Sequence, residues 1–272
     1  MKAEDLGYAV INKTLASIRI KPDARSSLAD EGLLGMVVKL LNNKNNGWYF
    51  IETHYNYRGY IHESDLILDN ERAHMWSEMA DHLIFHSIVD VMKEPNYKNY
   101  VIQLLTRGAF IKVTENRRDD WVEIVLPSLE KGWVKDKYIR KRKRAEEKEE
   151  VIRNRLVEGA CGYLGTQYRW GGKSPLGIDC SGLCSMAYMI NGIIIWRDAE
   201  LRDEYMREIK REEMKKGDLL FYKGHVAMYI GDGKVIHSAS SKSGVVINSL
   251  NKGDRDYNDF LDKKIISIGT IF

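Results

Sequence analysis

Cys180 stands in Gly177-Ile178-Asp179-Cys180-Ser181-Gly182, and two histidines follow it, in Gly224-His225-Val226-Ala227 and in Val235-Ile236-His237-Ser238. A cysteine followed in chain order by two histidines supplies a thiol nucleophile, a base, and a group to orient that base. The sulfur attacks a carbonyl only as thiolate. Asp179 is placed to cap a helix whose first turn carries Cys180, so the helix dipole and a neighbouring imidazolium are expected to lower the thiol's pKa. The backbone N–H of Cys180, at the helix start, is the expected donor to a developing oxyanion.

The elements around these residues must bring them together. The helix opening at Cys180 turns Leu183, Ala187 and Ile190 toward a core and ends at Asn191-Gly192. Strands are expected over 218–222, 225–230 and 234–239. A two-residue turn at Asp232-Gly233 pairs His237 with Met228 and sends the two histidines to opposite faces of the sheet, where they cannot serve one thiol. A three-residue loop, Gly231-Asp232-Gly233 with Gly233 left-handed, sets His237 opposite Ala227, on the face of His225 and diagonal to it. That odd loop is the expectation. His225 is then the general base and acid beside the sulfur, and His237 fixes its tautomer.

Composition bounds the rest. With 272 residues the chain holds two or three domains, and 44% apolar residues with six tryptophans suffice for packed cores. No run is long enough to cross a membrane, and a formal charge of +3 is too small to argue for nucleic acid. Three cysteines, Cys161, Cys180 and Cys184, give no disulfide framework and suit a reducing compartment. Together with His225 and His237 they do not make a zinc site, because no close ligand pair lies on a loop, and no metal or organic cofactor is expected. Cys184, one helical turn beyond Cys180 on its core side, reads as packing. The acidic start, Met1-Lys2-Ala3-Glu4-Asp5, lacks the apolar core of a secretory signal, so a cytoplasmic location is expected unless the chain was trimmed.

The N-terminal half repeats with a spacing of about 70 residues. Its first unit runs through strands at 17–20, 36–40, 48–52 and 59–61 and closes at 65–67; the second runs through 87–91, 109–113, 121–125 and 132–134 and closes at 137–139. Short alternating strands, with tryptophan opening the third and Gly-aromatic opening the fourth, suggest small bent barrels. Trp48, Tyr60, Trp121 and Trp133 are expected in their cores. The pattern resembles bacterial SH3 domains. Between the units, Met75, Met79, His82 and Leu83 at helical spacing predict a linker helix over 71–85. Past Ile139 a basic run, Arg140 to Arg144, meets Glu146 and Glu147; Arg142/Glu146 and Lys143/Glu147 fall at i,i+4 on an expected solvated helix. From Val151 that helix gains an apolar face through Ile152, Leu156, Ala160 and Tyr163, with Gly165 placed to end it.

From about Val151 the chain resembles the NlpC/P60 family of cell-wall cysteine peptidases. The likeness rests on Tyr168-Arg169-Trp170-Gly171-Gly172, Asp179-Cys180-Ser181-Gly182, Lys216-Gly217-Asp218-Leu219-Leu220-Phe221, the run from Gly224 to Gly231, and Val235-Ile236-His237, in the family's order. It implies a multidomain chain in which two small SH3-like barrels, 1–70 and 86–140, precede an α+β papain-like domain, 141–272, with Cys180, His225 and His237 as catalytic triad. Tandem SH3-like domains narrow the resemblance to the group that cuts the γ-D-glutamyl to diamino acid bond of free murein peptides with an N-terminal L-alanine. In that group an aspartate after the cysteine helix holds the substrate amine, a position that Arg197-Asp198-Ala199 fits. The resemblance further places Tyr168 near the oxyanion, Ser181 against the γ-glutamyl part and Tyr57 on a cleft wall. A second acidic amine ligand of the group falls at Ser27 here, with Asp30 and Glu31 nearby; Trp196 and Arg202 stand where relatives look more like proline and glutamine. The implied partner is a murein peptide, with no nucleic acid and no membrane. Two other readings fit the same residues: an acyl transferase or amidase on this scaffold, and a murein-peptide binding module.

Overall fold

The computed structural model describes residues 6–44, 46–142 and 147–272. The chain forms two compact units, Met1–Lys143 and Arg144–Phe272.

In the first unit, β1 (Tyr8–Ile11), β2 (Leu15–Arg19), β3 (Leu28–Leu33), β4 (Val37–Asn43), β5 (Trp48–Thr53), β6 (Arg58–His62) and β7 (Leu66–Ile67) lie in the order β3-β2-β6-β5-β4-β1-β7. After helix α1 (Asn70–Met79) come β8 (His82–Ile84), β9 (Ile88–Met92), β10 (Val101–Thr106), β11 (Phe110–Arg118), β12 (Trp121–Val125), β13 (Lys131–Lys135) and β14 (Ile139–Lys141), in the order β10-β9-β13-β12-β11-β8-β14. Advancing every strand of the first sheet by seven gives the second, so the sequence repeat is a repeat of topology. Alternation lets β2 and β9 bury one face: Ala16 and Ile18 of β2 and Val89 and Val91 of β9 are all buried. The two sheets share a core, because Leu34, from the turn after β3, packs with Ile84, Val91, Ile111 and Val122 of the second.

Several expectations change here. Helix α1, capped by Asp69 through the Arg72 N–H at 2.9 Å, ends at Met79, and residues 82–84 are strand β8, paired with β11 and β14. The helical spacing of Met75 and Met79 was misleading: α1 buries Ala73 and Trp76 instead, and the Trp76 indole donates to the Gly35 carbonyl at 2.9 Å. Strands β1, β3, β8 and β10 were not anticipated. β3 hides because it carries Asp30 and Glu31 in its buried stretch, where a period-two apolar pattern would be sought. Trp121 and Trp133 are buried with Met92, but Trp48 and Tyr60 are only half-buried; Trp48 meets the His62 ring edge-on and Tyr60 packs on Phe50.

In the second unit, α2 (Glu149–Cys161) precedes a short hairpin of β15 (Lys173–Ser174) and β16 (Gly177–Ile178), then α3 (Cys180–Met189). Strands β17 (Arg207–Glu208), β18 (Leu219–Tyr222), β19 (His225–Gly231), β20 (Lys234–Ala239), β21 (Gly244–Ser249) and β22 (Ser267–Thr270) form an antiparallel sheet ordered β17-β22-β18-β19-β20-β21, with α4 (Asp259–Lys263) before the last strand. The expected Arg142/Glu146 and Lys143/Glu147 pairs lie outside the described residues; α2 begins at Glu149 and ends at Cys161, four residues before Gly165. Every residue of α3 is buried, packed between α2 and strands β19 and β20. Arg153 of α2 ties that helix to the segment entering β18. Its guanidinium donates to Asp218 and to the Lys216 carbonyl, both at 2.8 Å, which gives the Lys-Gly-Asp motif a structural role.

Candidate active site

The nucleophile is set by its cap. Asp179 stands in extended geometry before α3 and accepts from the Gly182 N–H at 2.6 Å, which closes the first turn with Cys180 at its head. The same carboxylate accepts from the Gly171 N–H at 2.8 Å and from both terminal nitrogens of Arg197 at 3.1 and 3.2 Å. Arg197, 1% exposed, also donates to the Ser181 hydroxyl at 2.8 Å and to the Gly172 carbonyl at 3.3 Å. Cap, helix and the Tyr168–Gly172 segment are thereby tied into one block. The contact is close: a Cβ on Gly182 would sit 2.1 Å from the Gly172 carbonyl oxygen, so only glycine lets the loop lie against the helix.

The histidines reach one face by a different device from the expected loop. Met228 pairs with Ile236 and Tyr229 with Val235, a register that sets His237 opposite Ala227, as the argument from sequence required. The connection, however, is a two-residue turn with Asp232 at φ 51° and Gly233 at φ 68°, and Gly231 pairs with Lys234. Ile230 is the extra residue between these pairs, and this β-bulge supplies the odd count. The His225 Nε2 and His237 Nδ1 atoms are 3.0 Å apart. On the sulfur side, the backbone amides of Val226 and Ser181 point at Cys180.

Tyr168, half-buried, lies in the field of Cys180 and Asp179; burial pushes its phenol up to about 12, so it remains neutral and able to donate. Ser181 is buried, its hydroxyl held by Arg197. Asp198 is exposed and lines a cleft of about 280 Å³, counting its solvent-open part, together with Ser181, Trp196, Arg202, Phe221 and Val226. Arg202 stacks on Trp196, its guanidinium carbon 3.5 Å from the ring centroid, and pairs with Glu200. Ala199 is half-buried. Tyr57, in the first unit, is half-buried on the β5–β6 turn, where its N–H donates to Thr53 Oγ1 at 3.0 Å. Of the acidic residues near Ser27, Asp30 is buried and accepts from the Tyr55 hydroxyl at 2.5 Å. Two residues escaped the reading of the sequence: Arg197, legible only as a neighbour of Asp198, and Asn248, on a strand that was not assigned.

A sequence model of the NlpC/P60 family matches residues 165–260, and one of the bacterial dipeptidyl-peptidase SH3 domain matches residues 18–66. Over 270 residues the chain is 36% identical to dipeptidyl-peptidase 6 of Lysinibacillus sphaericus, which spans 97% of this chain and 99% of that protein. The chain belongs to the NlpC/P60 family. A second relative, the γ-D-glutamyl-L-lysine dipeptidyl-peptidase of Bacillus cereus, is 27% identical over 242 residues, covering 83% of this chain and 72% of that one. The crystal structure of an NlpC/P60 family protein from Bacillus cereus superposes with a TM-score of 0.81 at 21% identity, over 97% of this chain and 99% of that one, a likeness of fold. As an NlpC/P60 member the chain is a peptidase.

In this NlpC/P60 site the ionisations run against the expected thiolate. Burial first, then Asp179, pushes the Cys180 thiol up to about 11, outweighing the amides of Ser181 and Val226 that draw it down. Burial first, then His237, lowers the His225 imidazole to about 4. Thiol and imidazole are therefore both neutral near pH 7. An imidazole held below its usual 6.5 binds fewer protons folded than unfolded, so its contribution to stability is lost as pH falls from 6.5 toward about 4. The raised thiol has the opposite sign and loses stability as pH climbs from 9.0 toward about 11. The acid limb of kcat/KM for the free enzyme is expected nearer pH 4 than 6.5. A pH–rate profile with its limb at 6.5 or above contradicts the neutral resting pair.

Proposed function

We propose that this chain is a cysteine endopeptidase that cleaves the γ-D-glutamyl to diamino acid bond of murein peptides bearing a free N-terminal L-alanine. The observation that carries the reading is the hydrogen-bonded histidine pair on the sheet beside the capped Cys180. The specific bond is supported by the names of two relatives, a dipeptidyl-peptidase and a γ-D-glutamyl-L-lysine dipeptidyl-peptidase.

Cys180 is the nucleophile. As its sulfur attacks the γ-carbonyl of D-glutamate, His225 takes the thiol proton, and the Cys180 N–H donates to the oxyanion. His225 then returns that proton to the departing diamino-acid amine, leaving a thioester; water, deprotonated by the same imidazole, releases the dipeptide and restores the thiol. His237 orients His225, Tyr168 lines the oxyanion side, and Ser181 and Ala199 border the γ-glutamyl part. Asp198 neutralises the substrate's ammonium, whose desolvation is otherwise uncompensated. By the family resemblance Tyr57 belongs among the substrate-binding residues, and the chain divides into a barrel-like SH3 domain over 1–70, the linker helix α1, a second SH3-like domain over 86–140 and the peptidase domain over 141–272. A small, released substrate suits recycling of murein peptides inside the cell.

The experiment is mass spectrometry of L-Ala-γ-D-Glu-meso-diaminopimelate, its L-lysine counterpart and the N-acetylated peptide, incubated with the intact chain. Release of free diamino acid from an unblocked peptide is the expected result; no cleavage of any of them overturns the reading. Acetylating the amine, or Asp198→Ala, is expected to cost about 1 kcal/mol in kcat/KM, the upper end for a pair formed at an exposed carboxylate. Equal rates on blocked and free peptide remove Asp198 from that role.

A further inference from the structure

The hydrogen bonds of the histidine row have a direction, and one residue beyond the pair sets it. On β21, Val246 pairs with His237 and Asn248 lies two residues further along the same face, diagonal to it. His225, His237 and Asn248 thus form an oblique row across three adjacent strands. Asn248 Oδ1 is 3.0 Å from His237 Nε2, and Asn248 Nδ2 donates to the Asp256 carbonyl at 2.9 Å.

That last contact fixes the amide. A carbonyl oxygen only accepts, and the Asp256 oxygen also accepts from the Ser249 N–H at 2.9 Å, so the NH₂ end of Asn248 must face it. Its Oδ1 is then presented to His237 and can only accept. His237 must therefore carry its proton on Nε2, which leaves a lone pair on Nδ1. Facing that lone pair at 3.0 Å, His225 donates from Nε2. The basic nitrogen of His225 is consequently Nδ1. Resting on the peptidase reading above, we infer that Asn248 is a positioning residue which, anchored by the Asp256 carbonyl, selects the tautomers of both histidines and so decides which nitrogen of His225 takes the thiol proton.

The occupant of this position is not arbitrary. A leucine of similar size fills the space but offers no acceptor, and both ring tautomers of His237 become available. An aspartate keeps an acceptor toward His237 but turns its other carboxylate oxygen toward the Asp256 carbonyl, replacing the anchoring hydrogen bond by two acceptors facing each other. Asn248→Leu is expected to lower kcat on the murein tripeptide by about ten- to a hundredfold, the range found when a partner that orients a functional imidazole is removed, with KM within about twofold. Asn248→Asp is expected to recover part of that loss. In the wild-type chain labelled with ¹⁵N-histidine, nitrogen–proton correlation spectra should show His237 and His225 protonated on Nε2, and in Asn248→Leu the His237 signal should become a mixture of tautomers.

A wild-type His237 protonated on Nδ1 overturns the inference, and that spectrum decides the matter even if the leucine variant does not fold. Wild-type kcat in a folded Asn248→Leu overturns it as well. Cys180→Ala in the same assay separates the two levels: if it too retains turnover, Cys180 is not the nucleophile and the Cys180–His225–His237 mechanism on which the inference rests falls, whereas retention in Asn248→Leu alone removes only the role of Asn248.

Discussion

Cys180→Ala is expected to abolish peptide hydrolysis, with turnover falling by at least about a thousandfold, while Cys184→Ala is expected to retain most of it. The two cysteines lie one turn apart on the same buried helix, so accessibility does not separate them. Their surroundings do. Cys180 heads the first turn, with the amides of Ser181 and Val226 aimed at its sulfur, next in chain to His225; Cys184 is enclosed, its thiol held well above the usual range by burial. Deleting the Cys180 sulfur removes the atom that forms the thioester, and what the oxyanion donor and the binding cleft still supply leaves only a small residue of rate. Deleting the Cys184 sulfur removes one packed atom. Turnover of the unblocked tripeptide by the two purified variants is the measurement; comparable losses in both would refute the assignment of Cys184 to packing.

The second large effect is on stability. Arg197→Met is expected to destabilise the C-terminal unit by about 3 to 5 kcal/mol, because it strands the buried Asp179 carboxylate without its cation. Asp179 keeps its bonds from Gly171 and Gly182, but these amides do not offset a full charge out of water. Arg197→Lys recovers little, since one ammonium cannot reach Asp179, the Ser181 hydroxyl and the Gly172 carbonyl in the forked geometry that the guanidinium spans. Denaturant unfolding at neutral pH reads the loss as a lower midpoint at unchanged slope. Turnover falls with it, because the same guanidinium ties the Tyr168–Gly172 segment to the head of α3. A stability within about 0.5 kcal/mol of wild type would overturn this, since Asp179 would then not be left as an uncompensated buried charge.

What could be read from the sequence was the chemistry and its parity; what could not was the support. Asp179, Cys180 and the same-face requirement for His225 and His237 follow from rules local to a helix cap and a strand pair, and the structure keeps all three. The device that meets the requirement was misassigned, because Asp232-Gly233 is an ordinary two-residue turn and a bulge at Ile230 leaves no mark in composition. Strand β8 falls inside the helical period that Met75, Met79 and Leu83 match by chance, while the decisive fact, burial of Trp76 under the first sheet, is tertiary. Arg197 and Asn248 act through partners 18 and 11 residues away in sequence. No window-based pattern links such pairs, and the expected thiolate failed for the same reason: the dipole is local, but the burial that overrules it belongs to the whole domain.

The hairpin that carries the histidines holds information in a count. With side chains alternating between the faces of a sheet, the single additional residue in β19 is what sends His237 to the side of His225. Losing it, or gaining one more between positions 229 and 234, would leave every reactive side chain in the chain and yet turn the second imidazole away from the first. Among relatives of this protein, then, presence of the cysteine and both histidines is not sufficient to infer a working site; the number of residues separating them, odd or even, has to be read as part of the motif.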